Sequence, residues 1–367
     1  MTTVKLSRGE IATCTFCPKM CRFACPVSGA TRNEAHTPTG KMSAVFQHAT
    51  GARAFDESSG AAPYACTGCG RCTANCRHSA DVAGALFAAR AEVVDEGEAP
   101  KTIDQIKESF AAARNPFGVD LGARAREIST ETEGSAYFPG CTALAREPSM
   151  VTAALDAAAG FGLRLALAEA CTDCCGYPLW AAGLRAEFLE HARAFAKRVE
   201  DLPELVLGDP GCAVCLMHTY REAGVELRPK LVLLVDLLAD RLEYAFGRAP
   251  LRMKVSYHDA CKLGRDLGRY EGPRRLLRAA VGEFHEPPHA RHDAGCSGGG
   301  GLLPLTMPAA AVRIAAEQAR AHGSPENRIV TGCPSACRNF RRAGADALDL
   351  FTLLARWIAF RDDEDDR

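Results

Sequence analysis

Apolar positions recur at helical spacing in the first third of the chain and in short strand-like runs after it. In residues 81–95 (DVAGALFAARAEVVD), Val82, Leu86, Ala89 and Val93 step by three and four, which places them on one face of a helix. Residues 40–54 (GKMSAVFQHATGARA) carry similar patterning and predict a second helix. From 115 to 135 the periodicity fades and Gly, Pro, Ser and Thr accumulate, which predicts a linker. Farther on, short apolar runs at 205–207 and 329–330 alternate with helical patterns at 185–199 and 309–321. That alternation predicts α/β units, each around a small parallel sheet. The longest apolar stretch, KLVLLVDLLADR at 230–241, is broken by Asp236 and falls short of the roughly 20 residues that cross a bilayer.

The later part of the chain repeats itself. Tyr137-Phe138-Pro139-Gly140-Cys141 has a counterpart in Ser256-Tyr257-His258-Asp259-Ala260-Cys261, with the cysteines 120 residues apart. Cys174-Cys175-Gly176 matches Cys296-Ser297-Gly298 at an offset of 122, and Cys212 matches Cys333 at 121. Three landmarks at nearly one offset mark duplicated structural units. The expected organisation is an α-helical unit over 1–114, a linker over 115–134, a first lobe over 135–248 and a second over 249–367.

Length agrees with this division, since 367 residues exceed one ordinary core. A formal charge of −1 and a pI near 6.8 supply no field that would gather nucleic acid. The opening residues MTTVKLSRGEIATC show no leader pattern, so a cytoplasmic protein is expected, and the closing RDDEDDR reads as a solvated tail. In a reducing compartment, closely spaced cysteines read as metal ligands rather than disulfides.

Of the 18 cysteines, eight form two tight runs, Cys14-x2-Cys17-x3-Cys21-x3-Cys25 and Cys66-x2-Cys69-x2-Cys72-x3-Cys76. This is ligand spacing for two iron-sulfur clusters, in which the fourth cysteine of each run reaches the other cluster. That usual arrangement assigns Cys14, Cys17, Cys21 and Cys76 to one cubane and Cys66, Cys69, Cys72 and Cys25 to the other. The first lobe offers Cys141, Cys174, Cys175, Cys212 and Cys215, one thiol more than a tetrahedral zinc ion takes. The second offers Cys261, Cys296, Cys333 and Cys337, which suit zinc or one iron-sulfur cluster equally. Cys171 reads as a small buried side chain. His258 and His292 lie near second-lobe cysteines, where they could ligate a metal or satisfy local hydrogen bonds. Arg22, Arg71 and Arg77 sit beside cluster cysteines and read as a solvated basic surface or a charge offset. Glycines 298–301 lack the Lys-Ser/Thr of a phosphate loop, and Gly160-Phe161-Gly162 lacks a dinucleotide fingerprint, so neither flavin nor nicotinamide has a visible berth.

From Cys14 to Cys337 the order of motifs resembles the family that joins a dicluster ferredoxin-like domain to two cysteine-rich CCG domains. Heterodisulfide reductase and the iron-sulfur subunit of glycolate oxidase are members. The resemblance implies a multidomain fold: an N-terminal α-helical ferredoxin-like domain followed by two duplicated small α/β CCG lobes. It further implies two [4Fe-4S] clusters, and in the first lobe a noncubane centre on Cys141, Cys174, Cys175, Cys212 and Cys215. For the second lobe it leaves iron-sulfur or zinc open, because Ser297 and the x3 spacing of Cys333 and Cys337 depart from the pattern. Lys262 stands where relatives often carry histidine. The implied role is an electron-transfer subunit of an oxidoreductase complex. Its implied partner is a FAD-containing dehydrogenase or reductase subunit, with a quinone or membrane subunit beyond it, giving peripheral attachment at the inner membrane face. A relay or scaffold with structural zinc in the CCG lobes is the alternative.

Overall fold

A computed structural model describes residues 8–18, 20–129, 131, 133–323 and 326–360; the acidic run at 361–367 lies outside the described residues. Up to residue 128 the described residues form only helices. The helix expected near 40–54 runs over Pro38–Ala49, with Thr37 capping it by accepting from Gly40 N. The helix expected at 81–95 spans Val82–Asp95, and Asp81 caps it by accepting from Gly84 N. Val82, Leu86, Ala89 and Val93 are all at most 2% exposed, so the apolar stripe faces the core.

The segment read as a linker contains a helix, Leu121–Ile128. Asp120 accepts from Ala123 N, and Leu121 and Ala125, one turn apart, are buried. A cap and a short buried stripe suffice for a helix that Gly122 and the flanking threonines obscure in the sequence.

Two parallel sheets follow. The first contains β1 (Ser135–Phe138), β2 (Leu165–Ala166), β3 (Glu204–Leu207) and β4 (Lys230–Leu233), in the order β2-β1-β3-β4. The second contains β5 (Val255–His258), β6 (Arg328–Thr331) and β7 (Ala347–Asp349), in the order β5-β6-β7. Its missing fourth position survives as a single parallel bridge, Ser256 to His285, where the first sheet pairs Ser135 with Leu165. The helices predicted between strands are Arg185–Arg198 and Pro308–Ala321.

The chain is multidomain, a helical region followed by two regions built on small parallel sheets. These regions share one buried core that extends from Ile11 to Trp357. The helices Pro148–Gly160 and Leu350–Ala359 pack so tightly that a Cβ on Gly160 would fall 2.3 Å from Ile358. Cysteines cluster at the carboxyl ends of strands. Cys141 opens a helix after β1, Asp209 caps the helix holding Cys212 after β3, and Cys333 stands immediately before the helix Pro334–Arg342 after β6. In parallel α/β sheets that end is where ligands bind.

Candidate metal centres

Within the first 80 residues the thiols fall into two neighbourhoods. Cys14 feels the charges of Cys21, Cys76 and Cys17, and burial foremost pushes its thiol up to about 12. Cys14, Cys17, Cys21 and Cys76 line one concavity with about 310 Å3 of empty space, together with Cys72. The other neighbourhood gathers Cys25, Cys66, Cys69 and Cys72. Burial raises the Cys72 thiol first, followed by the charges of Cys69 and Cys66. Lys41 Nζ donates to Cys25 Sγ at 3.4 Å and to the Ala65 carbonyl at 2.8 Å.

In the first lobe five thiols touch in a chain. Cys141 Sγ lies 3.4 Å from Cys174 Sγ. Hydrogen bonds from Cys174, Cys212 and Cys215 hold the Cys175 thiol well below its ordinary value, which places Cys175 at the centre of the group. The cage is fixed from behind: Tyr220 Oη donates to the Cys175 carbonyl at 3.0 Å, and His191 Nε2 bonds the Cys174 carbonyl at 2.7 Å. Neither residue stands out in the sequence, being an aromatic and a histidine on apolar helix faces.

The second lobe divides its thiols differently. Cys296 hydrogen-bonds Cys69 of the helical region, an interaction that lowers the Cys69 thiol and raises that of Cys296. Cys261 feels both Cys69 and, through Cys296, the same neighbourhood, while Cys333 feels Cys261. Cys337 stands apart. It is fully buried in a core cluster with Ala315, Ile329, Ala336 and Phe340, and after burial its main electrostatic neighbours are Asp349 and Arg341. The structure thus does not gather the four second-lobe cysteines into one site. One helical turn separates Cys337 from Cys333 along Pro334–Arg342, which carries it from the strand end into the core.

His258 bonds Thr331 Oγ1 at 3.1 Å and the Gly295 carbonyl at 3.3 Å, so both ring nitrogens are engaged by protein. His292 is exposed and offers its carbonyl to Arg265. Cys171 is fully buried, and burial alone raises its thiol to about 12, as suits a small core side chain. Arg71 pairs with Asp293, Arg22 with Glu34, and Arg77 is exposed. Lys262 donates to the Gly68 carbonyl at 3.2 Å and to Asp266 at 2.6 Å.

One local motif recurs at three thiols. Gly68, Gly176 and Gly298, each at positive φ, donate their backbone N–H to the sulfur two residues earlier, on Cys66, Cys174 and Cys296, at 3.4, 3.5 and 3.3 Å. The left-handed conformation turns the amide toward sulfur, and an amide aimed at a thiolate favours an anionic metal-sulfur group. A C-x-G pattern in the sequence carries this signal.

Among the described residues no three His, Cys, Asp or Glu side chains are grouped so as to hold a metal ion. Three features nonetheless suit iron-sulfur clusters. Thiols cluster at cubane spacing in sequence, amides point at their sulfurs, and Arg265 Nη2 is buried without a hydrogen-bond partner while its charge faces Cys69, Cys261 and Cys296. The residues present fit such a group.

Comparison with known proteins agrees. Residues 10–80 match the 4Fe-4S dicluster domain, and residues 135–217 and 255–340 each match the CCG cysteine-rich domain. The chain belongs with the proteins that join a dicluster iron-sulfur domain to two CCG domains. Among its relatives is a subunit of the fumarate reductase (CoM/CoB) of Methanothermobacter marburgensis, 26% identical over 74% of this chain and 55% of its own. A subunit of the dihydromethanophenazine:CoB–CoM heterodisulfide reductase of Methanosarcina mazei is 23% identical, covering 78% of this chain and 73% of its own. Lactate utilization protein A 2 of Bacillus cereus is 25% identical, covering 45% and 71%. The chain thus spans about half the length of the first of these relatives. No helix among the described residues is long and apolar enough to cross a membrane.

Proposed function

We propose that this chain is an iron-sulfur electron-transfer subunit of an oxidoreductase complex. In this reading Cys14, Cys17, Cys21 and Cys76 hold one [4Fe-4S] cluster and Cys25, Cys66, Cys69 and Cys72 another. A third iron-sulfur centre sits on Cys141, Cys174, Cys175, Cys212 and Cys215. The observation that carries the reading is the five-thiol chain of the first lobe, which exceeds the four ligands of a zinc site. Bound clusters supply one-electron steps at potentials set by their surroundings. The chain's own contribution is to hold thiolates, aim amide donors at them and exclude water.

The partner in this reading is a FAD-containing subunit, because the sequence offers no fingerprint for an organic hydride carrier. Electrons would end either on a disulfide at the first-lobe centre or on a quinone through a further subunit, which would also supply any peripheral membrane attachment. Names of relatives support both ends, a heterodisulfide reductase on one side and a lactate utilization protein on the other.

A second reading, an electron relay or scaffold with structural zinc in the CCG lobes, draws on the proximity of Cys261 to Cys296 and Cys333. Metal analysis after anaerobic isolation separates the two: about twelve irons or more supports three clusters, whereas about eight irons with zinc supports the relay. Turnover of a heterodisulfide with reduced viologen tests the disulfide terminus, and no consumption argues against it.

A further inference from the structure

We propose that Lys41 and Arg265 set the order of potentials in the dicluster region, holding the cluster of Cys25, Cys66, Cys69 and Cys72 above the cluster of Cys14, Cys17, Cys21 and Cys76. The proposal rests on the ligand assignment given under Proposed function. Both cations reach the same cluster, from opposite parts of the chain. Lys41, only 2% exposed on the helix Pro38–Ala49, places Nζ 3.4 Å from Cys25 Sγ. Arg265 arrives from the second lobe: Nε donates to the Cys69 carbonyl at 2.6 Å, and Nη1 to the Ala294 carbonyl at 2.8 Å. Its Nη2 is buried without a hydrogen-bond partner, and its charge acts on Cys69, Cys261 and Cys296.

Both side chains carry charge there. Burial works against the Lys41 charge, but the facing sulfurs, Cys25 first, outweigh it and raise its pKa, and Nζ is held between Cys25 Sγ and the Ala65 carbonyl oxygen. Burial likewise works against Arg265, and Cys69, Cys261 and Cys296 reverse it. The Cys296 thiol, coupled to Cys69, donates to Thr67 Oγ1 at 3.4 Å. The other cluster has different surroundings. The charges pressing on Cys14 and Cys21 are those of neighbouring thiols, and Arg22, next in sequence, turns outward to Glu34 at 2.8 Å.

Reduction adds a negative charge to a group that is already anionic. A fixed positive charge nearby therefore stabilises the reduced form more than the oxidised one, and burial keeps water from screening it. An electron passing between the two would leave the cluster that Cys14, Cys17, Cys21 and Cys76 would hold, oxidising it, and would reduce the one that Cys25, Cys66, Cys69 and Cys72 would hold, with no bond made or broken and no proton required. Lys41 and Arg265 favour that direction and so collect the electron against the second lobe.

Electron paramagnetic resonance during a redox titration of the full chain, isolated anaerobically with its clusters, tests this. In Lys41→Met the more positive of the two cubane potentials should move negative, changing its reduced-to-oxidised ratio at least tenfold, about 59 mV for one electron. The other cubane should stay in place, with Cys76→Ala identifying its signal. Lys41→Arg should restore most of the shift, and Arg265→Gln should move the same cluster the same way. If Lys41→Met fails to assemble, Arg265→Gln decides. Unmoved potentials, or movement of the more negative cubane, would overturn the proposal. A wild-type chain without two cubane signals would instead overturn the ligand assignment itself.

Discussion

The guanidinium of Arg90 lies 2.8 Å from the carbonyl oxygen of Cys66, inside the molecule and fully shielded from solvent. The same side chain donates to the carbonyls of Pro63, of Ala181 in the first lobe and of Gly301 in the second. Three regions of the chain thus meet on one cation behind the loop that carries Cys66 and Cys69. Gly301 itself approaches so closely that a Cβ there would fall 2.4 Å from the Cys66 oxygen. Arg90→Met would leave these buried carbonyls without their donor, at about 1–3 kcal/mol for each unsatisfied group. The expected result is a loss of more than about 3 kcal/mol and weakened iron retention in the dicluster region, although no ligand has been removed. Thermal unfolding and iron content of the variant check this; an unchanged iron count would show that the clamp is dispensable.

Cys175 accepts from three neighbouring thiols, so it is the member of the first-lobe set whose removal should disperse the others. Cys175→Ala is expected to abolish the first-lobe iron signal while leaving both N-terminal cubane signals at full intensity. Loss of all three signals together would indicate misfolding, and in that case Cys141→Ala, at the end of the thiol chain, supplies the same comparison with less disturbance of the core.

Cys337 tests the second lobe in the opposite sense. Buried among apolar side chains, it should behave as a packing residue. Cys337→Ser is expected to lower stability by about 1–3 kcal/mol, with iron and zinc content unchanged. A variant that loses one metal equivalent would return Cys337 to the ligand set.

Much of the architecture was legible because it is periodic. Val82, Leu86, Ala89 and Val93 declare their helix face, and three cysteine landmarks at one offset declare the duplication. The helix Leu121–Ile128 was not legible, since two buried residues in a stretch rich in Gly and Thr fall below the threshold of pattern reading. In the second lobe, spacing alone suggested a four-thiol site. Spacing cannot show that one turn of helix carries Cys337 inward, or that Cys296 meets Cys69 across more than two hundred residues. The buried cations were partly visible: Lys41 precedes Val45 by four residues and Arg90 follows Leu86 by four, so each stands on an apolar stripe where a charge is out of place unless something anionic or polar meets it.

Acid should loosen the second lobe through two histidines. His258 is pushed down to about 4 by burial above all, with Arg265 adding to the effect and Asp259 and the Gly295 carbonyl opposing it. His322, bonded to Ser256 Oγ at 2.8 Å, is pushed down to about 3 by burial and then by His258 and His285, against Asp259. Both stay neutral in the fold, whereas an unfolded histidine takes up a proton near pH 6.5. The unfolded chain therefore binds more protons below about pH 6.5, and stability present above that pH is lost as pH falls toward 4. For the pair the loss should reach about 2–3 kcal/mol by pH 5.5. Anaerobic urea unfolding of the cluster-bound protein at pH 7.5 and 5.5 measures it, with a His258→Asn, His322→Asn double variant as reference. The double variant should start less stable and fall less between the two pH values, and an equal fall in both proteins would assign the acid sensitivity to other groups.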